Sequence, residues 1–194
     1  DSRVLFDMGA DTGIVVIDNV VLVEDAGTSD ELLTNGDFES GDDGSWTGNA
    51  LNIITEGDNS FNFADVETAG NAFDVNLSQI VPLTGGVTYD FSFTASTSEG
   101  GQRTMVAGIG LNVAPFTAVT ETVTLTEGDS TYTLSLTAAG VNGPDSRVLF
   151  DMGADTGIVV IDNVSLKQSG GGGGTDPGVS PEVAAPTPPD RAAE

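Results

Sequence analysis

VTYDFSFTA, residues 87–95, alternates apolar and polar side chains along one short segment. Its valine, tyrosine and two phenylalanines occupy every second position, and threonine, aspartate and serine lie between them. Because successive side chains of a strand point to opposite faces, a period of two indicates a half-buried β-strand. The segment therefore predicts a strand with one face in a core and the other in solvent.

The same alternation recurs in TYTLSLT (residues 131–137) and RVLFDM (residues 147–152). Turn-forming pairs such as Asn35-Gly36 separate the alternating segments, and none of them sustains the 3.6-residue period of a helix. About ten short strands joined by tight turns predict an all-β fold, an antiparallel β-sandwich of the jelly-roll type.

An internal repeat sets the expected domain boundaries. Residues 1–20, DSRVLFDMGADTGIVVIDNV, occur again without change at residues 145–164. The copies start 144 residues apart, which is the length of a whole domain and far beyond the repeats of about 20–50 residues found in solenoids. We therefore expect 1–26 to be the last strands of a preceding identical module, 27–167 a complete module, and 168–194 a disordered linker rich in glycine and proline.

The leading copy carries an apolar face but no sheet of its own. An isolated pair of strands is marginal in water. Residues 1–23 are therefore expected to fray, to compete with 145–164 for its place in the fold, or to pair with a second chain. The last outcome would give a strand-exchanged dimer.

Composition excludes several functional classes. The 194 residues contain no cysteine and no histidine, which removes disulfides, thiolate chemistry, the commonest general base and most zinc or copper sites. A net charge of −25 disfavours nucleic acid and anionic membranes as partners. No apolar run approaches the roughly 18 residues of a transmembrane helix. Catalysis by paired carboxylates has no clustered motif to support it, so we do not expect an enzyme.

Four stretches together carry a family resemblance. LLTNGDFESGDDGSWTGNA (residues 32–50) opens the complete module and VVIDNVSL (residues 159–166) closes it. This opening and closing, around a β-rich middle, resemble carbohydrate-binding module families 4 and 9. The inner stretches NAFDVNLSQ (71–79) and RTMVAGIGLNVAPF (103–116) resemble modules found in tandem in bacterial laminarinases with glycoside hydrolase family 16 catalytic domains.

The resemblance implies a concave sheet whose groove binds a polysaccharide. The ligand expected first is β-1,3-glucan (laminarin). The module would be non-catalytic, secreted or at the cell surface, and would target a covalently linked glycoside hydrolase to its substrate. It also implies a structural Ca²⁺ held by Glu39, Asp162 and the backbone carbonyl of Asp37, since calcium prefers carboxylate and carbonyl oxygens. Ordinary surface carboxylates are the alternative interpretation of Glu39 and Asp162.

Strand parity selects the first candidate sugar contacts. Arg147, Leu149 and Asp151 share the face of RVLFDM opposite the core face formed by its valine, phenylalanine and methionine. An arginine in a strand of so acidic a chain either neutralises a carboxylate or forks onto ligand hydroxyls. We predict ligand contacts, with a solvated ion pair as the alternative. Along 103–112 two glycines predict a flat floor with Asn112 at its edge. Arg103 has the opposite parity, and the resemblance alone keeps it as a candidate.

The resemblance adds an amide and an aromatic to this set: Gln79 as a groove amide and Phe116 as a groove-edge ring. Phe73 lies beside polar turn residues and could flank the groove. Trp46, the only tryptophan, is kept as a candidate stacking platform, although the resemblance favours packing in the core for a tryptophan at this place.

Two alternative functions remain open at this point. One is a calcium-stabilised structural or adhesive repeat without a sugar site. The other is a module that binds xylan or β-1,4-glucan, because groove curvature cannot be deduced from sequence.

Overall fold

The computed structural model describes residues 30–98 and 101–170. The expected fragment 1–26, strand exchange through 1–23, and the linker from residue 171 onward lie outside these residues and stay predictions. The described part contains one short 3₁₀ helix, Ala72–Asp74, and nine strands. The strands are β1 (Ile53–Glu56), β2 (Asn59–Val66), β3 (Asn76–Ile80), β4 (Thr88–Ser96), β5 (Arg103–Leu111), β6 (Ala118–Leu125), β7 (Ser130–Thr137), β8 (Ser146–Asp151) and β9 (Gly157–Gln168).

These strands form two sheets. The five-stranded sheet has the order β1-β2-β9-β4-β7 and the four-stranded sheet the order β3-β8-β5-β6. Every pairing between named strands is antiparallel. The predicted all-β sandwich is thereby confirmed.

The two sheets face each other across one aromatic core. Phe91 and Phe93 of β4 are fully buried, and their ring centroids lie 5.4 and 4.9 Å from that of Phe150 on β8. Since β4 and β8 belong to different sheets, these contacts hold the sheets together. The alternation in the sequence correctly assigned all three rings to the interior, because each strand exposes only its opposite face.

The opening segment, residues 32–50, joins the two sheets, at the central strand β9 of one and the edge strand β3 of the other. The Val164 amide of β9 donates to the Gly36 carbonyl at 2.8 Å, and the amide of Thr47 donates to Ser78 of β3 at 2.8 Å. A side chain at position 36 has no space, since a Cβ there would lie 1.9 Å from the Val164 carbonyl oxygen. The glycine of the NGDFE motif therefore allows the closest approach of this segment to β9.

The part of the chain that the structure describes contains no helix long and apolar enough to cross a membrane.

Candidate functional site

The outer face of the four-stranded sheet presents the predicted polar residues. Within β8, Val148 and Phe150 point into the core, whereas Arg147 and Asp151 lie on the opposite face. β8 is an inner strand that pairs with β3 on one side and with β5 on the other. Arg147 and Asp151 are therefore placed on the middle of a sheet surface rather than at its edge.

This surface contains a pocket of about 520 Å³, which we call the sheet pocket. Its lining residues are Phe73, Val106, Phe116, Ala118, Thr120, Arg147, Leu149 and Asp151. The volume lies within the range of about 300–1,000 Å³ that is typical of small-ligand sites. Four of the eight residues predicted to contact sugar, Phe73, Phe116, Arg147 and Asp151, thus line one cavity.

Two exposed aromatic rings belong to the sheet pocket. Phe73 is 65% exposed and Phe116 is 60% exposed. Phe73 sits in the 3₁₀ helix, whose turn is closed on both sides by reciprocal hydrogen bonds between Asn71 and Asp74. Phe116 has a φ of 58° and its amide donates to the Val113 carbonyl at 2.8 Å in the turn between β5 and β6. Positive φ is unfavourable for a bulky residue, and this turn therefore holds the Phe116 ring in one backbone conformation.

The floor of the sheet pocket is aliphatic. Leu149 lies between Arg147 and Asp151 on β8 and is only 2% exposed, although it faces away from the sandwich core. The prediction that bare glycine backbone forms the floor is wrong in its physical detail. A Cβ on Gly108 would lie 2.2 Å from the Val119 carbonyl oxygen, and one on Gly110 would lie 3.1 Å from Leu149 Cδ2. The space above these glycines is therefore filled by β6 and Leu149.

The two charged groups of the sheet pocket influence each other. Burial raises the pKa of the Asp151 carboxyl, and the positive charge of Arg147 acts in the opposite direction. The Arg147 Nε is buried and has no hydrogen-bond partner among the described residues. A buried donor without a partner is unfavourable by about 1–3 kcal/mol, and because this nitrogen is closed to solvent it is not the atom of Arg147 that a ligand oxygen would reach. The guanidinium and the carboxylate together offer both donors and acceptors with little net charge.

Two predicted contacts, Gln79 and Trp46, must be corrected because their side chains are buried. Gln79 lies on the inner face of β3, where its amide accepts from the Thr34 amide at 2.7 Å and donates to the Thr34 carbonyl at 2.8 Å. Trp46 packs with its ring centroid 5.3 Å from Phe38, and its Nε1 donates to the Asn35 carbonyl at 2.9 Å. Both residues fix the opening segment, and neither presents a free face to a ligand.

Arg103 is a third correction. It shares the inner face of β5 with Met105 and is buried. Its guanidinium donates to the backbone carbonyls of Met152 at 2.6 Å and Asp155 at 2.7 Å, and also to that of Gly157. The opposite parity noted in the sequence was therefore the correct signal. Asn112 follows the end of β5, is exposed, and does not line the sheet pocket.

Four residues of the sheet pocket were not singled out from the sequence: Val106, Ala118, Thr120 and Leu149. Strand parity does place Val106 and Leu149 on the same face as the candidates of their own strands, but neither was chosen as a sugar contact. Parity cannot place the two β6 residues, because their place depends on the register in which Ala118 pairs with Gly110 and Thr120 with Gly108.

The residues expected to hold calcium lie in another part of the fold. Burial raises the pKa of Asp162, the hydrogen bonds from Asn163 and Asn59 lower it, and the negative charges of Glu39 and Asp37 raise it further. The Glu39 carboxylate accepts from the Ser60 amide at 2.8 Å. No group of three or more acidic side chains in the described residues is placed to hold a metal. The oxygen donors fit calcium in kind, but a site here would depend on the Asp37 backbone carbonyl.

Comparison with known proteins now identifies the family. The family model CBM_4_9, described as a carbohydrate binding domain, matches residues 30–157. The chain belongs to this family. It is accordingly a carbohydrate-binding module, a binding domain rather than a catalytic one, and the resemblance to families 4 and 9 is confirmed.

Solved structures show the same fold. A structure titled "CBM4 structure and function" is 20% identical, with 70% of this chain and 99% of that chain covered and a TM-score of 0.56. The second N-terminal cellulose-binding domain of Cellulomonas fimi β-1,4-glucanase C is 25% identical over 73% of this chain and 96% of that one, with a TM-score of 0.56. The CBM22-1 xylan-binding domain from Paenibacillus barcinonensis is 12% identical over 72% and 95%, with a TM-score of 0.54. No curated protein sequence matches the chain.

Proposed function

We propose that the module binds a neutral β-glucan chain, with β-1,3 linkages preferred, in the sheet pocket. In a secreted or cell-surface protein it would hold an attached glycoside hydrolase on its polysaccharide. The observation that carries this proposal is the sheet pocket itself, where the exposed rings of Phe73 and Phe116 accompany the polar pair Arg147 and Asp151.

The chemistry of this lining suits a sugar chain. A pyranose ring has an apolar C–H face that packs on an aromatic ring, and hydroxyls around its edge that both donate and accept hydrogen bonds. Arg147 supplies guanidinium donors and Asp151 supplies carboxylate acceptors. Because these two charges are opposite and the whole chain has a net charge of −25, a neutral polysaccharide is favoured over a polyanionic one.

A β-1,4-linked chain is the second candidate for the same pocket. It is favoured by the printed descriptions of two structural neighbours, a cellulose-binding and a xylan-binding domain. Their sequence identities of 25% and 12% support the fold and leave the choice of linkage open.

Isothermal titration calorimetry with laminarin, cellohexaose and xylohexaose tests the proposal. We expect laminarin to bind with a dissociation constant on the order of micromolar to millimolar. Binding is weakened because the sugar hydroxyls must exchange hydrogen bonds with water for hydrogen bonds with the protein, and because a flexible chain becomes ordered. Stronger binding of cellohexaose or xylohexaose would overturn the linkage and keep the sugar site. Binding of none of the three would favour a structural or adhesive repeat.

We also propose that Ca²⁺ stabilises the module through Glu39, Asp162 and the Asp37 carbonyl. The support is electrostatic: Asp162 is buried close enough to Glu39 and Asp37 for their negative charges to raise its pKa. A divalent cation would relieve this repulsion. At a concentration 100 times its dissociation constant it would add about 2.7 kcal/mol to the free energy of unfolding.

Asp162→Asn is expected to have opposite effects with and without calcium. In chelator the neutral amide removes a buried, repelled charge, so the melting temperature should rise by a few degrees. The melting temperature of the unchanged protein should be higher in millimolar calcium than in chelator. The melting temperature of the variant should be the same in both. Differential scanning fluorimetry measures both. Asp90→Asn, at an exposed position on β4, is the matched control. An equal calcium response in the unchanged protein and in Asp162→Asn would contradict the site.

A further inference from the structure

The connection between β8 and β9, residues 152–156, begins directly after Asp151. Its backbone is bound by a buried side chain, that of Arg103. Arg103 donates from its guanidinium to three backbone carbonyls of this region, those of Met152, Asp155 and Gly157. Burial lowers the pKa of Arg103, while the charges of Asp155 and Asp65 act to raise it. The guanidinium is buried, so it contacts the loop and not a ligand.

A second set of bonds runs in the reverse direction. The Asp155 carboxylate accepts from the Thr104 amide at 2.7 Å and also from the Thr104 hydroxyl. These bonds lower the pKa of Asp155, which is the expected effect of donors on an ionised carboxylate. Two adjacent residues of β5, one facing inward and one outward, thus hold the same loop. We call Arg103, Thr104 and Asp155 the loop clamp.

The loop in turn holds the segment that carries Phe73. The Gly153 amide donates to the Ala72 carbonyl at 2.8 Å, and the Gly153 carbonyl accepts from the Gly70 amide at 2.7 Å. The Met152 amide donates to the Val75 carbonyl at 2.8 Å. Backbone therefore meets backbone on both sides of the 3₁₀ helix, with no flexible side chain between them.

Glycine at position 153 is required for this contact. A Cβ there would lie 2.5 Å from the Asn71 carbonyl oxygen and 3.1 Å from that of Ala72. Any side chain at this position would push the 3₁₀ helix, and Phe73 with it, away from β8. The distance between the Phe73 ring and the polar pair on β8 is thus set by a loop that does not itself line the sheet pocket.

We propose that the loop clamp and Gly153 are positioning residues of the sugar site, which determine affinity by placing Phe73 on the rim of the sheet pocket. This inference rests on the proposed function, since it assumes that Phe73 packs against the bound sugar. Arg103, Thr104, Asp155 and Gly153 themselves make no ligand contact.

A double-mutant cycle on laminarin affinity tests the inference. Phe73→Ala alone should weaken binding by about threefold to tenfold, the range of an aromatic contact. Asp155→Ala and Gly153→Ala should each weaken it severalfold in the unchanged protein and have no effect in the Phe73→Ala background, since residues that act through one another are not additive. Asp90→Asn, which removes a carboxylate bonded to the Ser169 hydroxyl on the other sheet, should change nothing in either background.

Hydrogen exchange gives a readout that is independent of sugar. Asp155→Ala should speed exchange of the Gly70 and Gly153 amides and leave core amides such as that of Phe91 protected. Thr104→Val, which removes only the hydroxyl, should do the same to a smaller extent and serves if Asp155→Ala lowers solubility or stability.

Each outcome of the cycle has a distinct meaning. The inference is overturned by an equal loss in both backgrounds, because that is the behaviour of a residue with a general structural role. It is also overturned if Phe73→Ala binds laminarin as tightly as the unchanged protein. Absence of binding by the unchanged protein to any glucan overturns the proposed function, and this inference with it.

Discussion

Arg147→Ala is expected to weaken laminarin binding by about ten- to a hundredfold, the value of one or more hydrogen bonds to a charged group. The side chain lies on the outer face of an inner strand and lines the sheet pocket. The Arg147 side chain lies outside the core between the sheets, so its removal should change the melting temperature little. Titration calorimetry measures the affinity, and thermal unfolding measures the stability of the same sample.

Lys167→Ala is the matched control for the change in charge. It also removes one positive charge, but from an exposed position on β9 in the other sheet. If long-range electrostatics governed the affinity, both variants would behave alike. A loss that is confined to Arg147→Ala identifies a direct contact.

Asp151 completes the same experiment. Burial raises its pKa and the attraction of Arg147 lowers it, so loss of Arg147 should raise the pKa further. Asp151→Asn retains a hydrogen-bonding group and should keep part of the affinity, whereas Asp151→Ala should lose most of it. Retained binding by both Arg147→Ala and Asp151→Ala would move the site to another surface. The pocket of about 360 Å³ on the five-stranded sheet, which includes Phe61 and Asp162 in its lining, would then be the next candidate.

Local alternation was enough to predict the fold and the polar pair of the site. Arg147 and Asp151 were found because a strand buries one face, and the apolar run of Val148, Phe150 and Met152 showed which face that was. The same rule explains the correct placement of Phe91 and Phe93. These assignments need no knowledge of which strand pairs with which.

The failures involve polar residues whose partners are far away in the sequence. Gln79 bonds the backbone of Thr34, 45 residues earlier, and Arg103 bonds carbonyls about 50 residues later. A buried polar side chain needs such partners, but no local pattern shows where they are. A family resemblance assigned both residues to the groove on position alone, and the structure shows that both hold connecting segments in place.

Trp46→Ala is expected to lower the free energy of unfolding by about 3–5 kcal/mol, the usual effect of removing a buried aromatic ring. The ring centroid lies 5.3 Å from that of Phe38 and 6.4 Å from that of Phe150. The indole Nε1 also donates to the Asn35 carbonyl, so truncation leaves a cavity and removes one of the two hydrogen bonds that this carbonyl accepts, the other coming from the Phe38 amide at 3.3 Å. Since small domains are stable by only about 5–15 kcal/mol, this one change should remove a large part of the total. Urea unfolding followed by far-UV circular dichroism measures it without relying on tryptophan fluorescence.

Phe116→Ala is the matched control, because Phe116 is aromatic but 60% exposed at the sheet pocket. It should lose sugar affinity and keep its stability, the reverse of Trp46→Ala. The unchanged protein offers one more test, since Trp46 is its only tryptophan. Its emission should be shielded from an aqueous quencher and should not respond to laminarin. A spectral shift on addition of laminarin would place Trp46 at the sugar and contradict its assignment to the core, because a ring enclosed by Phe38, Phe150 and the opening segment cannot sense a ligand on the opposite face of β8.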